Sequence, residues 1–200
     1  MQKNIFLSGG GNEIISKKFD DFFIKKLKEN NINNIIYIPI ALRESKWEKA
    51  KIWFSGIFEK YINNIEVYTD LSKLSINNIE KTTAIYIGGG DTVKLLKTIR
   101  DNNLAKPIIN FINNGGFYYG GSAGAIICGK NIKTAPEARG RNIYKGFNVI
   151  CDKSIVCHYK DEEKTIYDEL QTKINSEFII LREGEGIYFD GNKENFINKK

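Results

Sequence analysis

Short apolar runs recur along this chain, each bounded by Gly, Pro or Asn and separated by amphipathic stretches, and that alternation restricts the folds open to it. The runs are Asn4 to Leu7, Ile35 to Ile38, Ile65 to Tyr68, Ala84 to Ile87, Phe117 to Tyr119, Ile155 to Cys157 and Phe178 to Leu181. Apolar segments this short, closed by turn formers, predict buried strands. Between them Ile15, Phe19, Phe22, Phe23 and Leu27 recur at helical spacing, as do Trp47, Ala50, Phe54, Ile57, Phe58 and Tyr61, and then Ile166, Leu170 and Ile174. Each set lines one helix face, so these side chains are expected to pack in the core. Strands alternating with helices imply right-handed crossovers and a doubly wound, mostly parallel α/β sheet with helices on both faces. No repeat, low-complexity tract or linker divides residues 1–200, and a single α/β domain is expected.

The net charge of +6 raises the question of nucleic acid, but the lysines stand singly among Glu and Asp and form no basic stripe with interleaved aromatics. A solvated lysine surface is the better reading, with no nucleic-acid partner. The apolar start breaks into Gly9 too early for a secretory signal, and no stretch is long enough to span a bilayer, so a cytoplasmic protein with no membrane partner is expected. Cys128, Cys151 and Cys157 are odd in number and lack C-x-x-C spacing, which argues for free thiols rather than disulfides or a thiolate metal site. The sequence is compatible with a homodimer without fixing one.

In sheets of this kind function gathers in the loops at the carboxyl ends of the strands, where the glycines of this chain lie. Ser8-Gly9-Gly10-Gly11 and Gly88-Gly89-Gly90-Asp91-Thr92 each follow a strand and open a helix, but Ile14 and Val93 stand where a dinucleotide fingerprint needs its third glycine. A nicotinamide cofactor is disfavoured. Gly124 to Lys130 nearly spells a phosphate-binding loop, yet its interior is apolar and Asn131 replaces the magnesium-binding hydroxyl, so a helix is the better reading.

Gly120-Gly121-Ser122-Ala123-Gly124 fits G-x-S-x-G after a strand and before an apolar helix start. In such an elbow, small neighbours permit a strained turn that lifts the serine hydroxyl above the sheet. A hydroxyl needs a neighbouring base at neutral pH, and the chain holds a single histidine, His158, at the end of the strand Ser154 to Cys157. A carboxylate would complete the set by holding the imidazole tautomer. Glu137, Asp152, Asp161, Glu162 and Glu163 are all candidates, and spacing does not separate them, although Asp161 to Glu163 also suit the first turn of a helix.

The Gly88 to Thr92 turn, the Gly120 to Ala125 elbow and a strand ending in His158 together resemble the peptidase E (aspartyl dipeptidase) and cyanophycinase family of serine peptidases. The likeness runs from the first strand to about Phe189. It implies a flavodoxin-like sheet akin to class I glutamine amidotransferase domains, with Ser122 as nucleophile and His158 as base. It also implies an acidic residue fifteen positions after the serine, here Glu137, as third member. The oxyanion hole would be formed by the backbone N–H groups of Ala123 and Gly89, with Gly88, Gly90 and Tyr159 as further substrate contacts. The implied chemistry is hydrolysis of dipeptides or short peptides through an acyl-enzyme, with no metal or cofactor.

Aspartyl dipeptidases carry arginine after the histidine to grip the substrate carboxylate, whereas Tyr159 to Lys164 has none. Lysine lacks the planar fork, so strict selectivity for amino-terminal aspartate is not expected. Arg43, Arg139 and Arg141 are the candidate substitutes. An α/β-hydrolase esterase fits less well, because 36 residues between Ser122 and His158 leave too little chain for that fold's intervening elements. A binding scaffold with an idle serine is the non-catalytic alternative. Cys157 adjoins the histidine, but neighbouring strand residues point to opposite faces, so the two are not expected to meet.

Overall fold

Successive strand residues point to opposite faces of a sheet, and in this chain both faces are apolar. Ile5 and Leu7, Ile36 and Ile38, and Ile85 and Ile87 enter one core, while Phe6, Tyr37, Tyr86 and Tyr119 enter the other. The computed structural model describes residues 2–76 and 79–199. The main sheet has seven strands: β1 (Asn4–Ser8), β2 (Asn34–Ile38), β3 (Asn64–Val67), β4 (Thr83–Ile87), β5 (Phe117–Gly121), β8 (Gly186–Phe189) and β9 (Glu194–Ile197), in the order β3-β2-β4-β5-β1-β8-β9. The five strands from β3 to β1 pair in parallel, with Phe6 opposite Tyr119 and Tyr37 opposite Tyr86.

Two helices, α1 (Lys17–Glu29) and α2 (Trp47–Phe58), bury Phe19, Phe23, Leu27, Phe54 and Phe58 against the aromatic face. On the other face α3 (Thr92–Asp101), α4 (Ala105–Asn113) and the short α5 (Ala123–Ile126) supply Leu95, Leu96, Ile99, Ile108, Ile112 and Ile126. The doubly wound, mostly parallel arrangement with helices on both faces is therefore present.

Several expectations need correction. Ile15 lies outside α1 and is exposed, because the helix begins only after Ser16, and Ile166 is also exposed, the helix that carries it turning Tyr167 inward instead. The segment after Gly124 is helical for only one turn, and Phe147 and Val149 then donate backbone hydrogen bonds to Ile127 and Cys128, so the chain folds back as an irregular loop. Gly186–Phe189 and Glu194–Ile197 add an antiparallel hairpin to the edge of β1, a pairing that local apolar runs did not reveal. The strands β6 (Ser154–Val156) and β7 (Phe178–Ile180) are not part of the main sheet. They form their own two-stranded parallel sheet, in register from Ser154 opposite Phe178 to Val156 opposite Ile180, joined by α6 (Lys164–Ile174). Among the described residues no helix is long and apolar enough to cross a membrane.

Candidate active site

Ser122 follows β5 directly, with φ 48° and ψ −106°, a backbone conformation seldom taken by a residue with a side chain. The turn is held by a hydrogen bond from the Ser122 N–H to the Ser8 carbonyl (3.0 Å) and by close packing beneath it. A side chain at Gly124 would collide with the Ile87 backbone, and one at Gly120 with the Gly124 backbone, so only glycines let the elbow sit this low on β4 and β5. The Tyr118 hydroxyl donates to the Gly124 carbonyl at 2.7 Å from below.

His158 follows β6, and its own N–H donates to the Gly9 carbonyl (3.1 Å), tying the small sheet to the end of β1. Its Nε2 stands 2.8 Å from the Ser122 Oγ, and its Nδ1 stands 3.0 Å from Oε1 of Glu183. The parallel register of β6 and β7 accounts for the second contact, since both chains leave their strands at the same edge of the small sheet. The Glu183 turn is braced by buried Glu185, whose carboxylate accepts from the Arg182 N–H at 2.8 Å. Neither partner of the imidazole–carboxylate pair is buried, with side-chain exposures of 45% and 52%. A contact so open to water adds little stability, and its effect is to orient the ring.

The first glycine run holds these pieces together. A Cβ at Gly10, where φ is +98°, would overlap the imidazole, and one at Gly9 would overlap the Arg182 carbonyl. Gly9 donates to the Glu185 carbonyl and accepts from His158, while Gly10 accepts from the Gly184 N–H. The turn after β1 therefore serves close approach of three loops.

Glu137, expected to orient His158, is engaged elsewhere. Its Oε1 accepts from the Thr92 N–H at 2.8 Å, at the start of α3, where Asp91 caps the Lys94 N–H. The chain after α5 passes under the N-terminus of α3, and a carboxylate there satisfies an otherwise unpaired helix N–H and favours the dipole. The carboxylate beside the imidazole is Glu183, which sequence reasoning passed over. A signal was available, because Arg182-Glu183-Gly184 directly follows the apolar run Phe178 to Leu181, the same strand-end logic that picked out His158.

Gly89 lies against the serine, where an added Cβ would stand 3.1 Å from the Ser122 Cβ. Gly88, Gly89 and Gly90 line one cavity with Ser122 and His158, and Gly90, at φ +136°, has no room for a side chain against the Ala41 backbone. Tyr159 is not part of that cavity wall; it carries the Arg182 guanidinium over its ring at 5.1 Å. Arg182, paired with Asp161, thus brings an arginine next to the segment after His158 that contains none in sequence. Arg43 and Arg141 are exposed, and Arg139 stacks on Tyr167, so none of the three candidate substitutes joins the cavity. Cys157 is buried beside the elbow, its Sγ 3.7 Å from the Ser8 and Ser122 carbonyls, and burial pushes its thiol well above the ordinary range. A thiol so held is a poor nucleophile.

A serine on a strained turn above a parallel sheet, with an imidazole at hydrogen-bonding distance, is the arrangement that activates a hydroxyl as a nucleophile. The chain belongs to peptidase family S51, which it matches over residues 5–197. Similar curated proteins include a peptidase E of Haemophilus influenzae (strain PittGG), 36% identical over 87 residues, covering 40% of this chain and 37% of that protein. Another is a peptidase E of Salmonella newport (strain SL254), 41% identical over 110 residues, covering 54% of this chain and 47% of that protein. These alignments take in less than half of either relative's length. Among solved structures, a peptidase from an acI-B1 Actinobacterium has a TM-score of 0.71 at 19% identity, covering 98% of this chain and 94% of that one. A Listeria monocytogenes EGD-e protein has a TM-score of 0.70 at 22% identity, with 98% of both chains covered. At those identities the likeness concerns the fold.

Proposed function

We propose that this protein is a serine exopeptidase of the cytoplasm that hydrolyses dipeptides or short peptides, carried on one α/β domain. The observation that bears most weight is the 2.8 Å separation of Ser122 Oγ and His158 Nε2. In this reading Ser122 attacks the scissile carbonyl carbon while Nε2 accepts the hydroxyl proton. Glu183, on the Nδ1 side, keeps that nitrogen protonated and stabilises the imidazolium. The oxyanion of the tetrahedral intermediate takes hydrogen bonds from the N–H groups of Ala123 and Gly89, a role supported by the contact of Gly89 with the serine. The imidazolium then protonates the leaving amine, and water, deprotonated by the same nitrogen, releases the acyl group. The cavity above Ser122, about 520 Å³, suits a residue or two better than a long chain.

The test is hydrolysis of a dipeptide panel by purified protein together with labelling by a fluorophosphonate probe. Wild type is expected to cleave and to label, whereas Ser122→Ala does neither. Cleavage that survives Ser122→Ala, or a wild-type serine that labels no faster than the variant, removes the catalytic assignment.

A further inference from the structure

The cavity beside Ser122 is also lined by residues of the aromatic face of the sheet and by Asp20, in the first turn of α1. Asp20 is only 4% exposed, yet it lines the same cavity as Ser122 and His158. Its Oδ1 accepts from the Tyr119 hydroxyl at 2.7 Å, and among the described residues no ion pair reaches it. The nearest opposite charge on its own helix, Lys17, points outward and is paired with Asp21 at 2.7 Å. Burial without a cation raises the Asp20 carboxyl to about 6, against which the Tyr119 hydrogen bond works. A carboxyl with one neutral donor and, among the described residues, no paired cation thus lines the pocket.

The walls fit the same kind of guest. Tyr86 and Tyr119 stack at 4.1 Å, and Tyr37 and Trp53 complete an aromatic lining. Tyr37 likewise stacks on Phe54 at 4.0 Å, so these rings spend a face on a neighbour, and the aromatic lining serves to accommodate a methylene stem. Lys46 and Lys49 also border the cavity but are exposed, where water and salt screen their repulsion.

Position along the strand sets the length of the guest. Tyr119 precedes Ser122 by three residues, on the order of 10 Å of strand. A substrate's α-amino group is one carbon removed from the scissile carbonyl and cannot span such a gap. A charge at the end of a long side chain can.

We propose that this cavity binds the side chain on the acyl side of the scissile bond, and that Asp20 makes it selective for a long basic side chain, lysine or arginine. The inference rests on the serine-peptidase reading of Ser122. Asp20 acts as a specificity residue: the substrate cation supplies the ionic partner that the folded protein leaves out, and an apolar side chain of equal length leaves the carboxylate buried and unpaired.

The experiment compares kcat/KM for lysyl-glycine, arginyl-glycine, norleucyl-glycine and glutamyl-glycine in wild type, Asp20→Asn and Tyr119→Phe. The basic substrates are expected to exceed norleucyl-glycine by about tenfold or more, the effect of one moderately strong polar contact. Asp20→Asn is expected to bring that ratio close to one, whereas Tyr119→Phe, which keeps the carboxyl but removes the hydrogen bond that favours its ionised form, retains the preference in alkaline buffer and loses part of it in mildly acidic buffer. Near-UV circular dichroism and Tm verify that each variant is folded. Equal rates for lysyl- and norleucyl-glycine in wild type, or an unchanged ratio in folded Asp20→Asn, overturn the proposal. Calorimetric binding of the same dipeptides to Ser122→Ala separates the two readings. If wild type cleaves nothing while Ser122→Ala binds lysyl-glycine about tenfold more tightly than norleucyl-glycine, catalysis is lost and the subsite stands. Cleavage with no basic preference leaves the peptidase and removes the subsite.

Discussion

Ser122 and His158 reach one cavity from two regions of different construction. The serine follows β5 in the middle of the main sheet, over a fully buried floor of Ile87, Tyr118 and Ala123, with glycines at each point of close packing. The histidine and Glu183 come from the two-stranded sheet β6-β7, half exposed, and are anchored to β1 through backbone hydrogen bonds of Gly9 and Gly10. The proposed nucleophile sits on a strained backbone, and strain persists only where surrounding packing over-determines it. The proposed base needs orientation more than burial, and two hydrogen-bonding contacts on the ring provide that.

The strongest challenge to this contrast is removal of the nucleophile. Ser122→Ala is expected to lower kcat by about 10⁴-fold or more without loss of Tm, read by steady-state hydrolysis and thermal unfolding. Next comes the carboxylate beside the imidazole. Glu183→Gln should cost on the order of 10³ in kcat, less than for a buried carboxylate because water can partly orient an exposed ring. The parallel variant Glu137→Gln should leave kcat within about threefold of wild type, since its oxygen can still accept from Thr92. If the two variants exchange their effects, the assignment of the orienting carboxylate is reversed.

Gly10→Ala tests how the second region is anchored. The new methyl group would overlap the imidazole, and a displacement of about 1 Å is expected to reduce kcat on the order of 10²-fold. A variant with wild-type activity would mean that the His158 loop is free to move away from β1.

Asp20 brings a pH dependence into the nucleophile's side of the cavity. The unfolded chain releases this proton near about pH 4, the folded protein near about 6. Between those values the native state holds more protons than the unfolded one, so unfolding free energy falls as pH rises. Relative to Asp20→Asn, wild type should lose about 3 kcal/mol between pH 4 and pH 7, the equivalent of two pKa units, with Asp21, Lys17 and Tyr119 the groups acting on it. Urea unfolding of both proteins at several pH values measures the difference; a pH-independent gap contradicts it. The smallest effect is expected for Glu137→Ala, about 1 kcal/mol of stability from the weakened start of α3, read from the urea midpoint.

Much of the doubly wound core was legible because strand and helix periodicities are local. Phe6, Tyr37, Tyr86 and Tyr119 alternate with Ile5, Ile36, Ile85 and Tyr118 in the chain as they do across the sheet. The serine elbow was legible for a similar reason, since Gly120, Ser122 and Gly124 meet their steric demands within one turn of chain. The sheet's edge was less so: Gly186–Phe189 and Glu194–Ile197 are short, half-polar segments that become strands by pairing with β1 and with each other.

Residue types and local periods thus determined the layers, the buried faces of α1 and α2 and the strained hydroxyl, all governed by interactions a few positions apart. Tertiary structure alone decided which carboxylate faces the imidazole. Glu137 and Glu183 are both acids near glycines or proline at the ends of apolar segments, and what divides them is the passage of one chain under α3 and the parallel register of β6 with β7. It also decided that Asp20, inside an otherwise amphipathic helix, would face the cavity of Ser122 from beneath Tyr119. Such contacts join residues tens of positions apart, and no local pattern encodes them.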